Sequence, residues 1–224
     1  MKLDYTIHSI GRYCGRQAEG FLGEPLNSLS NLAFIIGALY VWTVWRKSEN
    51  RNKFAPVLFI MVASIGVGSF IFHTFPSKTT LWVDLIPIQI FALTYFGFVG
   101  LKYFGGSLFK VGIALVVFFY VRQYWIAFTP RGALGGGITH IPTLVLLLGC
   151  GALLYSRHKQ FSIKLLSAGL VYALALFIRT WDLYFCAAFP LGLHWVWHLL
   201  TALAASILIM AAVKTSETRR VDLV

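Results

Sequence analysis

Seven long apolar stretches, separated by short polar interruptions, set the pattern of this chain. They cover approximately residues 26–45, 54–75, 81–103, 108–128, 138–155, 161–181 and 190–213. Each is close to the roughly 20 residues that a helix needs to cross a bilayer core of about 30 Å. Lipid offers the backbone no hydrogen-bond partners, so a segment of this kind satisfies its own N–H and C=O groups by becoming a helix. The pattern predicts an all-α fold: an integral membrane bundle of seven transmembrane helices in a single domain over residues 1–224. An N-terminal segment (1–25) and a C-terminal tail (214–224) complete it.

Composition agrees and removes the alternatives. Of the 224 residues, 58% are hydrophobic and 12% charged, and the mean hydropathy is +0.75, which excludes an ordinary soluble domain. The first 25 residues carry Lys2, Asp4, His8, Arg12, Arg16, Glu19 and Glu24 with no apolar run before a small-residue cleavage site, so no signal peptide is predicted there. Cys14, Cys150 and Cys186 are odd in number and lack CxxC spacing, and the last two lie in or beside apolar spans. A disulfide framework is therefore not expected, and the redox compartment stays open. The chain shows no solenoid repeat, and its one glycine run, Gly135–Gly137, falls in a predicted loop.

The formal net charge of +11 changes the picture only through its distribution. Twelve of the 19 Lys and Arg residues fall on one side of the predicted spans: Arg46, Lys47, Arg51, Lys53, Lys102, Lys110, Arg157, Lys159, Lys164, Lys214, Arg219 and Arg220. Lys2, Arg12, Arg16, Lys78, Arg122, Arg131 and Arg179 fall on the other. The bias puts the N-terminus outside and the C-terminus in the cytoplasm. Topology and headgroup contacts thus account for the basic residues, and no nucleic-acid partner is implied.

Several features need only a structural reading. Pro25 suits a first helical turn, and Ser64 and Gly68 have the small-xxx-small spacing of close helix contacts. Trp42, Trp45, Trp125, Trp181 and Tyr184 fall near span ends, where an aromatic belt belongs.

Polar groups at depth call for more. His194 and His198 in "HWVWH" share one face of the seventh span about a turn apart, which is metal-ligand spacing but also suits bonds to carbonyls or water. In "GSFIFHTFPSKTTLWVD", Ser69 and His73 are again four apart near the end of the second span, and Asp84 begins the third after a short turn. With the topology above, all five fall at one depth in the outer half of the membrane. An ionisable group facing hydrocarbon costs at least about 2.5–3.5 kcal/mol, so such groups face a bundle interior or cavity. Three neutral imidazoles leave a coordination position of tetrahedral Zn²⁺ open for water, and Asp84 can accept that water's proton. Ser69 is placed to hydrogen-bond an oxyanion or orient the water. No GxSxG elbow is present.

Ser69-xxx-His73, Asp84 and His194-xxx-His198, with "AEGFLGEPLNSLSNLAF" at the first span, closely resemble the alkaline ceramidase family. That family belongs to the seven-span hydrolases that also include the progestin and adiponectin receptors. The resemblance implies that His73, His194 and His198 hold zinc, that Asp84 contacts the attacking water and that Ser69 assists at the substrate carbonyl. The implied reaction is hydrolysis of the ceramide amide to a sphingoid base and a fatty acid. Family members hold calcium through an acidic N-terminal motif of the kind D-W-C-E-x-N. "GRYCGRQ" has no carboxylate, and Gly15 stands where an acidic residue would follow the cysteine. Only Glu24 and Asn27 remain, as a vestigial calcium-like pair or as helix-start polar groups, so no tight calcium site is expected; Glu19 and Asp4 have no supporting spacing.

Arg179 and Asp182 are read as a local pair, with Asp182 also a candidate for the pocket entrance. His140 is read as a carbonyl-bonded interfacial histidine or, less simply, a fourth ligand. His8 and His158 are read as surface residues. The resulting expectation is a zinc-dependent membrane amidohydrolase whose partners are a lipid substrate and the bilayer, with no protein partner implied. A sibling acting on an ester lipid and a non-catalytic zinc-binding receptor or transporter are the competing readings. The location is a bacterial inner membrane or an ER/Golgi-type membrane, with the site in the outer or lumenal half.

Overall fold

In this computed structural model, residues 13, 14, 16, 21–49, 51–130 and 132–214 are described. Lys2, Asp4, His8, Arg12, Gly15, Glu19, Arg131, Arg219 and Arg220 lie outside them. The described chain is helical, and seven helices are long and apolar enough to cross a membrane: Pro25–Lys47, Ala55–Thr74, Lys78–Tyr103, Leu108–Phe128, Ala133–Leu154, Lys159–Trp181 and His194–Lys214. The predicted spans fall on them in order, and the protein is an integral, multi-pass membrane protein.

The helix ends follow from local chemistry. Proline sits in the first turn of the first and second spans and of the α-helical part of the fifth, Ile141–Leu154, where its missing N–H costs nothing. Ser77 and Thr80 form a reciprocal capping box at the third span, and Ser107 accepts from Lys110 N at the fourth. Pro87 stands inside the third span, where it removes one ladder hydrogen bond. Two boundaries differ from the sequence reading by about four residues or more. The seventh span starts at His194 rather than near residue 190, because Gly192, at φ +67°, turns the chain just before it. The fifth starts early, at Ala133, with a 3₁₀ segment to His140 that is kinked at the predicted loop, where the backbone of Gly135 and Gly136 is not helical. Its left-handed positions, Leu134, Gly135 and Gly136, let the backbone lie against the sixth span: a Cβ on Gly135 would come within 2.7 Å of the Arg179 carbonyl.

Burial is uneven in a way that positions the site. The seventh span is the most buried and the fourth faces almost entirely outward. Ala202, Ala204, Ala205, Ala211 and Ala212 give the seventh span a small-residue surface that its neighbours approach closely. The Tyr95 hydroxyl donates to Leu208 O across 3.0 Å and ties the third span to it. Of the small-xxx-small pair, only Gly68 makes a close approach: its Cα faces the Val83–Asp84 backbone, and an added Cβ would lie 3.1 Å from the Val83 carbonyl carbon. Ser64 is instead exposed and donates to Ile60 O, because it lies on the outward face of the second span. Gly68 thereby sets the approach that brings Asp84 beside Ser69.

Candidate metal centre and cavity

The end of the second span and the start of the seventh bring three imidazoles together. His73, His194 and His198 are all buried, and their candidate ligand atoms lie within 4.8 Å of one another. The four-residue spacing aligns His194 and His198 on one face, with ring centroids 4.5 Å apart; His73 reaches them from the second span at 5.2 and 4.8 Å.

Hydrogen bonds fix which nitrogen of two rings is free. The Ser30 hydroxyl donates to Asn27 O at 3.0 Å, so its contact with His198 Nδ1 at 2.8 Å is one in which Ser30 accepts. His198 therefore carries its proton on Nδ1 and leaves the Nε2 lone pair unshared. His73 Nδ1 lies 2.6 Å from Glu24 Oε2, and a carboxylate only accepts, so His73 is in the same tautomer. Metal-binding histidines are oriented in this way, by a carboxylate or hydroxyl behind the ring. His194 Nδ1 is buried without a hydrogen-bond partner, a donor atom that a cation would satisfy. Three imidazole nitrogens, two of them pre-oriented, fit a tetrahedral divalent ion such as zinc. His140 is not a member of this group.

Glu24 is the hub behind the centre. It accepts from Asn27 Nδ2 at 3.0 Å through the same oxygen that meets His73, and its Oε1 forms an ion pair with Arg16. Burial alone would raise its carboxyl, but the hydrogen bonds from His73 and Asn27 and the charge of Arg16 outweigh it and hold the group below its usual value. Glu24 is thus ionised behind His73. Tyr13 lies over the opposite side, its ring stacked on His194 at 3.8 Å between centroids. Burial, only partly offset by Arg179, pushes its hydroxyl up, so it remains a neutral donor.

A disulfide pins this N-terminal cover. Cys14 is bonded to Cys186, with Cα atoms 5.4 Å apart across 172 residues of sequence. That corrects the expectation of no disulfide: the odd count arises from Cys150, which is free on the fifth span, and only the fold brings the other two together. Cys14 N also donates to Asp182 Oδ2 at 3.0 Å. The Cys14→Ser variant is expected to lose about 2–5 kcal/mol of stability, read as a lower Tm, since the link closes a long loop. An unchanged Tm under non-reducing conditions would show the cover held without it.

Asp182 and Arg179 do not form the predicted pair. Asp182 Oδ1 accepts from Leu193 N at 2.6 Å and His194 N at 3.1 Å, which places its charge at the start of the seventh span, where the helix leaves N–H groups unsatisfied. It is buried and is not part of the cavity wall. Arg179 donates through Nε to Gly135 O at 3.2 Å and lies over the rings of Trp197 and Tyr13. His140 meets the Tyr172 hydroxyl at 2.7 Å, not a carbonyl. Glu24 meets His73 and Asn27 donates to Glu24, while Asp84 and Ser69 adjoin each other, the serine hydroxyl facing the Asp84 carboxyl. Ser30 and Arg16 were missed by the sequence reading. Nothing in the sequence distinguishes Ser30 from the other serines of the first span.

A cavity of about 310 Å³ opens from the imidazoles into the bundle. Ser69 and Asp84 line it beside His194 and His198, and Phe34, Ile65, Phe91, Phe96, Leu147 and Leu208 form its apolar depth. The Ceramidase family model matches residues 17–221, nearly the whole chain. The chain belongs to the Ceramidase family. No curated protein matches it. Membership points to a hydrolase with a lipid substrate, and in this ceramidase-family chain the cavity has the walls that a lipid tail requires.

Proposed function

We propose that this ceramidase-family chain is a zinc-dependent intramembrane amidohydrolase that cleaves the amide of ceramide or a related N-acyl lipid to a sphingoid or other amine and a fatty acid. The observation that carries the reading is the convergence of three buried imidazoles, two with their Nε2 lone pairs freed by Glu24 and Ser30, at the head of an apolar cavity. His73, His194 and His198 would hold the ion. When bound, zinc polarises the scissile carbonyl and lowers the pKa of a coordinated water to about 7.

The chain's own groups supply the rest. Asp84 takes the proton of the attacking water on a carboxylate oxygen and returns it to the departing nitrogen as the C–N bond breaks. Ser69 donates to the developing oxyanion. The apolar depth holds the acyl chain and excludes water. Glu24 positions His73 and is not a calcium ligand, because its carboxylate already serves Arg16, Asn27 and His73. The N-terminus and the site lie on the outer or lumenal side, where a Cys14–Cys186 bond persists.

The test is release of fatty acid from ceramides, acyl-amino lipids and glycerolipids by purified protein, before and after chelation and after zinc is restored. Amide cleavage lost on chelation and recovered with zinc is expected. Ester cleavage alone would favour the sibling lipid hydrolase, and zinc binding with no turnover would favour a receptor.

A further inference from the structure

The reaction above uses one side of the cavity, and a second polar group on its wall has no part in it. Arg179, His140, Tyr172, Thr139 and Thr143 all face the same space. The Arg179 guanidinium lies 5.1 Å from the Trp197 ring centroid and 5.7 Å from that of Tyr13, donates to Gly135 O and meets the Tyr13 hydroxyl. Every one of these partners is neutral. Guanidinium carries five N–H donors, so these contacts leave donors over.

It forms no ion pair with a carboxylate among the described residues, and Asp84, across the cavity, is the one carboxylate whose charge it feels. Asp182, three residues on, is spent on the backbone N–H groups of Cys14, Leu193 and His194. Glu24 is held by Arg16 and His73. Asp84, also on the cavity wall, is assigned to the reacting bond. Arg122 of the fourth span is not on the cavity wall and donates to Gln123, so Arg179 is the cavity's own guanidinium. A cation in low-dielectric surroundings is costly until an anion reaches it, and a planar guanidinium fork favours carboxylate and phosphate.

We propose that Arg179, with His140 and Tyr172, forms an anion subsite for the amine side of the substrate, so that preferred substrates are N-acyl lipids bearing a carboxylate or phosphate close to the amide nitrogen. The inference rests on the amidohydrolase reading and narrows its substrate class. The acyl chain occupies the apolar depth while the anionic headgroup meets Arg179 at the polar end.

The experiment compares kcat/KM for N-oleoyl glycine, oleoyl ceramide 1-phosphate and neutral oleoyl ceramide in the full-length protein and in Arg179→Gln. Retention of the same three lipids is measured by native mass spectrometry. The wild type is expected to favour an anionic lipid over neutral ceramide, the carboxylate and phosphate arms showing which anion. Loss of a charge-assisted hydrogen bond in Arg179→Gln is expected to cut that ratio by about tenfold or more, chiefly through KM. If Arg179→Gln does not fold, Arg179→Lys and Tyr172→Phe are read by the same ratio. A ratio equal in wild type and variant overturns the subsite, as does a variant that changes only inhibition by free oleate. If no lipid is cleaved at all, the amidohydrolase reading fails, and retention still decides the subsite: equal retention of anionic and neutral lipids overturns it.

Discussion

Asp84→Asn is expected to lower turnover by about 10²–10⁴-fold while leaving bound metal at wild-type stoichiometry, the range that a positioned general acid–base group supplies. Asparagine keeps the shape of aspartate, so the close backbone approach at Gly68 and the contact with Ser69 survive. What it lacks is an oxygen that can take a proton and give it back. The three imidazoles come from other spans and do not depend on Asp84, so metal content separates loss of proton transfer from loss of the centre. The check is fatty-acid release under saturating lipid, with metal counted by mass spectrometry on the same preparation. A variant with a tenth or more of wild-type turnover would remove Asp84 from the proton-transfer role. A variant without metal would make it part of the centre instead.

The seven spans were legible because lipid imposes one rule on every residue in them, and the rule is written as length and hydropathy. The three histidines were legible for a related reason: a costly group at depth is conspicuous, and a four-residue step is the same in sequence as on a helix. What escaped had no such signature. The Cys14–Cys186 bond joins two loops whose separation along the chain says nothing of their distance in space. Arg179 and Asp182, three apart, invited pairing, but the start of the seventh span competes for the carboxylate with its own N–H groups, and the aromatic faces of Trp197 and Tyr13 compete for the cation. Ser30 is one serine among several at the first span. Its part emerges only from the pair of bonds to Asn27 O and His198 Nδ1. Gly135–Gly137 was read as a loop from composition, and the same lack of side chains lets the left-handed kink at Gly135 press against Arg179.

Glu24→Gln is expected to weaken zinc binding by about 10–100-fold, the usual effect of removing the partner behind a ligating histidine. The amide can still accept from His73 Nδ1, but without the negative charge that makes Nε2 a stronger donor. Ser30→Ala removes a neutral hydroxyl behind His198 and is expected to cost less. Glu24→Gln also leaves Arg16 without its anion, so a fall in stability accompanies it for a reason unrelated to metal. The pair Arg16→Gln and Glu24→Gln separates the two effects: the double variant is expected to regain part of the lost Tm and none of the lost zinc affinity. Competition with a chromogenic chelator gives the affinities, and a thermal melt of the metal-free protein gives the stability. Zinc affinity that recovers together with Tm would mean that Glu24 acts through folding alone, and affinity unchanged in the single variant would detach Glu24 from the centre altogether.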